Sequence, residues 1–132
     1  MPNRAIEFHD STFDSCEKEG ANVTLRFSAA YIHESEGKPG LDAGSGWVQE
    51  ARLHVDGASP SGEIPELQCD LWDGNIRLGD DLFQMVPIPL DYKGTVEINL
   101  EQDGKIRVVG KHVRLELVGK PKYIEEFPGN RY

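Results

Sequence analysis

Apolar residues recur at every second position through most of this chain, the spacing of half-buried strands. Val23, Leu25, Phe27, Ala29 and Tyr31 alternate with Thr24, Arg26, Ser28 and Ala30. Trp47, Ala51, Leu53 and Val55 alternate with Val48, Glu50, Arg52 and His54, Gln49 being the one polar member of the apolar set. Val96, Ile98 and Leu100 alternate with Glu97, Asn99 and Glu101. No window of useful length carries a 3.6-residue stripe, so the expected class is all-β. Asp73-Gly74 and Asp103-Gly104 read as hairpin turns, and Glu19–Asn22 and Tyr92–Gly94 as softer turn candidates. Strands joined by tight turns pair as antiparallel neighbours. The expected architecture is an antiparallel β-sandwich or flattened barrel of about eight strands with mainly meander connections.

Three interruptions refine that picture. In KIRVVGKHVRLELV the apolar positions change parity between Val108 and Val113. A one-residue slip would turn the core face outward, so a bulge is expected near Val109-Gly110. Pro87 and Pro89 bracket Ile88, and proline cannot donate to a ladder, which predicts an edge strand or an extended arm there. In the closing KPKYIEEFPGNRY, residues Tyr123, Ile124 and Phe127 are expected to form one helical turn over an open end of the core.

At 132 residues the chain is read as a single domain, 1–132, able to bury its own core. No apolar run approaches the ~20 residues of a membrane span. MPNRAIEFHD has no apolar h-region, so no secretory signal is expected, and the Asn22-Val23-Thr24 sequon is read as chance. Cys16 and Cys69 with no CxxC point to two reduced thiols in a cytoplasmic protein, a Cys16–Cys69 bridge being the alternative. Net charge is −9, concentrated as −7 over 34–73 and reversed to +4 over 105–132. A surface of that sign repels phosphate backbones, which argues against nucleic acid and in favour of a basic protein partner or a cationic ligand.

Candidate chemistry gathers in YIHESEGKPGLDAGSGWVQ, Tyr31 to Gln49. His33 keeps the odd parity of Val23 through Tyr31 and Trp47 opens the apolar set of the next strand, so both are expected to face inward and close together. Glu36 and Asp42 would overhang them, with Glu34, on a loop of about twelve residues, a length that compact domains keep for function or leave disordered. Tyr31, His33, Glu36, Asp42 and Trp47 are therefore the candidate ligand-binding residues. A bound cation, a general base beside His33, and an apolar platform on Trp47 and Tyr31 are the chemical readings of this end, and a purely structural role outweighs each of them. Phe8-His9-Asp10-Ser11 reads as a strand end followed by turn formers rather than a triad, whose members approach from separate elements. His54 has a solvent-face pattern, and His112 lies in a basic stretch beyond the expected bulge. Phosphate-loop, GxGxxG, zinc-spacing and GxSxG motifs are all missing. No cofactor, metal or catalytic residue is named.

IEFHDSTFDSCEKEGANVTLRF and the closing YIEEFPG resemble parts of small bacterial β-domains that open with a strand ending in His-Asp-Ser. The likeness covers about a quarter of the chain. It implies an immunity-type protein that inhibits a contact-delivered toxin, and it carries over no catalytic residue. The functional expectation is a non-enzymatic interaction module whose acidic band from Glu34 to Asp73 contacts a basic partner. The alternative is an enzyme or metal-dependent ligand site at the His33–Trp47 end.

Overall fold

The computed structural model describes residues 2–62, 64–65 and 68–128. They contain ten strands and no helix: β1 (Asn3–Glu19), β2 (Asn22–Ser35), β3 (Gly44–Asp56), β4 (Ser59–Gly62), β5 (Cys69–Asp70), β6 (Asp73–Leu78), β7 (Asp81–Phe83), β8 (Met85–Ile88), β9 (Asp91–Glu101) and β10 (Lys105–Phe127). They form one antiparallel sheet in the order β5-β1-β2-β3-β10-β9-β6-β7, with β4 added to β10 and β8 added to β1. The all-β, antiparallel expectation holds. The sheet curls over its own core without closing into a barrel. Phe8 of β1 lies against Gly74 of β6, where a side chain at 74 would press into the ring. The unpaired seam between these strands is stitched by two backbone bonds, Leu71 N–H to Ser11 O and Trp72 N–H to Glu101 O.

Inside the curl, the rings of Phe8 and Phe13 pack on Phe27 with centroids 6.0 and 5.8 Å away, and all three are buried. Leu25, Leu53, Ile76, Ile98, Leu100 and Ile106 complete the interior, which the alternating pattern assigns to one face of each strand.

The turns only partly follow their signals. Glu19 pairs with Asn22 across Gly20-Ala21, Gly20 taking the left-handed backbone (φ 63°) that glycine adopts without steric cost. Glu101 pairs with Lys105 around Asp103-Gly104, as expected. Asp73-Gly74 instead opens β6 and Tyr92–Gly94 lies within β9, because ladders with β9 and β10 respectively hold these segments extended. The interruption in β10 falls between Gly110 and His112, where buried positions pass from Ile106, Val108 and Gly110 to Val113. A side chain at 110 would overlap Val55, so the bend needs glycine. The helical turn expected at Tyr123–Phe127 is absent. Those residues extend β10 along β3, Phe127 opposite Gly44. β8, with Pro87 within it and Pro89 just past its end, is an added strand on Arg4–Glu7 of β1. Cys16 and Cys69 are both free. No described helix is long and apolar enough to cross a membrane.

Candidate functional site

The decisive local feature is a bulge that alternation alone does not reveal. β2 pairs Phe27 with Ala51 and then Ala30 with Gln49, so β2 spends one residue more than β3 between these rungs. Directly opposed residues share a face. Ala30 and Ile32 therefore continue the core face with Gln49 and Trp47, and Tyr31 and His33 turn to the opposite face. This corrects the expectation that His33 and Trp47 meet. Gly46 is opposite His33, and Trp47 is opposite Ile32.

On that outer face Tyr31 and His33 are nevertheless buried, beneath a small cluster of their own. Phe127 stacks on the His33 ring at 4.9 Å, and Tyr31 meets the imidazole edge-on at 5.2 Å. The His33 Nε2–H donates to Glu7 Oε1 at 3.1 Å, while Nδ1 is enclosed with no partner among the described residues. The Tyr31 hydroxyl donates to Glu125 Oε2 at 2.6 Å, crossing β3 above Gly46. A side chain at 46 would overlap that phenol, and one at 44 would overlap the Glu34 carbonyl, which explains both glycines of the Gly-Ser-Gly run before Trp47. Burial pushes the Tyr31 phenol well above its ordinary range, and the bond to the Glu125 carboxylate adds to the shift. Tyr31 is thus held as a protonated donor to Glu125.

The remaining loop candidates divide. Asp42 Oδ2 accepts the Lys38 N–H at 2.6 Å, and the Leu41 and Asp42 amides return to the Lys38 carbonyl, closing a local turn. Ser35 Oγ donates to Ala43 O and accepts from Gly37 N–H, and Asn3 Nδ2 donates to Gly37 O. The loop is a hydrogen-bonded knot in which Asp42 serves the backbone. Glu36 is exposed. Trp47 donates through Nε1 to Ser45 Oγ, packs edge-on against Tyr123 at 5.3 Å, and borders a recess of about 140 Å³ with Arg4 and Glu34. Of the five candidates, Tyr31 and His33 share a cluster, Trp47 lies on the other side of the sheet, and Glu36 and Asp42 belong to the connecting loop.

Beside Glu7, the Phe8-His9-Asp10-Ser11 stretch forms a bulge in β1 between Glu7 and Thr12. Ser11, fully buried, anchors it by donating to Glu7 O and accepting the Tyr31 N–H. Asp10 takes φ 75°, uncommon outside glycine and easiest for Asn and Asp. The consequence is that Glu7, His9 and Asp10 each present a ligand atom within 4.8 Å of the others. Their donor set of two carboxylates and an imidazole suits a divalent transition metal, and the His33–Glu7 bond is the kind that orients a liganding carboxylate.

The other two histidines are each tied to carboxylates. His54 bonds Glu116 Oε1 at 2.8 Å and Thr24 Oγ1 at 3.2 Å, and His112 bridges Asp56 and Asp91 at 3.1 and 2.6 Å. These hydrogen bonds hold the Glu116 and Asp91 carboxyls below their usual range. Both pairs staple neighbouring strands at the surface.

A second location was overlooked in the sequence. Trp72, 61% exposed, stands on the seam while its neighbour Leu71 is buried beneath. Exposed Asp70 and Asp73 flank it, Glu101 accepts its backbone amide, and Asp103 projects from the adjacent β9–β10 turn. Burial raises the Cys69 thiol, with further upward pushes from the Asp70 and Asp103 carboxylates. Parity was the available signal: Cys69 and Leu71 share the inward set, leaving Trp72 outward. Glu63 and Glu66 of the acidic band from Glu34 to Asp73 lie outside the described residues, and its described members do not form one face. Glu34 pairs with Ser45 at one end of the β2–β3 ladder, Asp56 pairs with Asn22 at the other, and Asp70 and Asp73 lie on the seam.

Compared with protein-family models, curated proteins and solved structures, the chain matches none of them.

Proposed function

We propose that this chain is a non-enzymatic binding module whose contact surface is the acidic rim around Trp72 and whose partner is a basic protein. The observation that carries this reading is the exposed Trp72, flanked in sequence by exposed Asp70 and Asp73 and held by its backbone amide to Glu101, at the start of the turn that carries exposed Asp103. An exposed tryptophan is a typical energetic anchor of protein interfaces. Carboxylates around it suit lysine or arginine, which also stack on indole faces. Lys105, on Glu101 at 3.5 Å, is the cation ion-paired to this rim. An immunity-type inhibitor that mimics a polyanion toward a basic toxin is the specific form this reading takes, in line with the N-terminal resemblance.

An oligolysine peptide tests the chemistry directly. Its affinity should fall steeply as salt rises from roughly 50 to 300 mM, and Trp72→Ala should weaken it at least about tenfold. Binding indifferent to salt, or unchanged in W72A, would remove this surface from consideration.

A metal-dependent site is the second reading, favoured by the Glu7-His9-Asp10 donors with His33 behind Glu7. Millimolar Zn²⁺ or Mn²⁺ should then raise the melting temperature, and His9→Ala should abolish the rise. A melting curve unmoved by either cation sinks it.

A further inference from the structure

The Lys38–Asp42 knot does more than join β2 to β3. Gly40 lies against Met85 Sδ, so the loop leans on β8, and between the loop, the start of β1 and the β7–β8 arm opens a cleft of about 550 Å³. That size is within the range of small-molecule sites. Its walls are largely apolar. Leu82 and Phe83 remain 47% and 37% exposed, and Met85 and Ile88, from opposite faces of β8, also line the cleft. In a chain of net charge −9, the charged residues lining this cleft are both cations, Arg4 and Lys38. Arg4 stands opposite Glu34 in the β1–β2 ladder yet is in no ion pair among the described residues, and neither is Lys38.

We propose that this cleft binds a small amphiphile, an apolar chain ending in a carboxylate. Arg4 and Lys38 receive the head, and Leu82, Phe83, Met85 and Ile88 cover the chain. The physical case is one of complementarity. Two cations bordering apolar surface favour an anionic head continuous with an apolar body, and the arginine fork matches a carboxylate in particular. A cationic amphiphile would meet like charge, and an uncharged one would gain only the apolar contact. The site is separate from the Trp72 rim and independent of its partner.

Calorimetric titration of the whole chain with decanoate, below its micellar range, is the test, with decanol and decyltrimethylammonium as matched-chain probes. Decanoate should bind at least about tenfold more tightly than either. The Arg4→Gln/Lys38→Gln double variant should lose that preference while retaining weak binding of the chain. Phe83→Asp should weaken all binding and W72A none. Failure of decanoate to bind at millimolar concentration overturns the proposal, as does decanol binding equally well. The headgroup comparison on the unaltered chain decides the matter even where the double variant fails to fold. A peptide with an apolar residue at its C-terminal carboxylate that binds where decanoate does not would assign the cleft to a polypeptide and overturn the small-molecule occupant.

Discussion

Phe27→Ala is expected to lower unfolding stability by about 3–5 kcal/mol and the melting midpoint by roughly 10–20 °C. Phe27 is 2% exposed and is the ring that Phe8 and Phe13 both contact, tilted against one and edge-on to the other. Those two rings come from opposite sides of the His9–Ser11 bulge in β1. Truncation would therefore leave a cavity bounded by two parts of β1 whose relative placement is set by that bulge. Partial collapse is hindered because Ser11 ties the bulge to Tyr31 through its hydroxyl. Chemical denaturation should show a lower midpoint with little change in slope. A loss below about 1 kcal/mol would mean that the three rings do not form a tightly packed plug.

The same position shows where alternation ceases to report structure. Up to Phe27 the odd residues of β2 are the buried ones, and reading them off the sequence is correct. The bulge at the next rungs inserts one residue, so Ala30 and Ile32 inherit the core face. Ser28, Ala29 and Ala30 are small and carry no turn signature, so nothing in their identities marks the extra residue. Ala29 could be read as inward as easily as Ala30. In β10, by contrast, a glycine stood between two apolar sets of unequal parity, and the break was legible to within a residue. The tail failed for another reason. Aromatic and branched residues at 123, 124 and 127 fit a helical turn, but the free side of β3 offered a ladder from Gly44 to Val48, and pairing there satisfies the backbone. Of the candidate chemistry, His33 and Tyr31 were identifiable by type but not by partner. Glu7 precedes His33 by 26 residues and Phe127 and Glu125 follow it by more than 90, separations that only the strand order brings together.

His33→Ala is expected to cost about 2–4 kcal/mol, whereas His33→Phe should remain within about 1 kcal/mol of the unaltered chain. Alanine removes the ring stacked between Phe127 and Tyr31 and opens the end of the β2–β3–β10 ladder to water. Phenylalanine restores the ring, keeps the stack and replaces an enclosed Nδ1 that has no partner among the described residues. It also forfeits the Nε2–Glu7 bond, but the Glu7 side chain is 35% exposed and regains water. Removing both polar ring atoms together is close to neutral when the remaining partner can be solvated. The two variants thus separate packing from polar function at one position. Equal losses in H33A and H33F would show that the Glu7 bond, rather than the ring, secures this end. Near-native stability of H33A would show that the cluster is not cohesive at all. In H33F the oligolysine affinity should be unchanged, since Trp72 and its carboxylates lie on the seam. A metal-dependent rise in melting temperature should weaken, because Glu7 would lose the donor that orients it. H33F alone therefore discriminates the two functional readings, with stability measured on the same sample as the control.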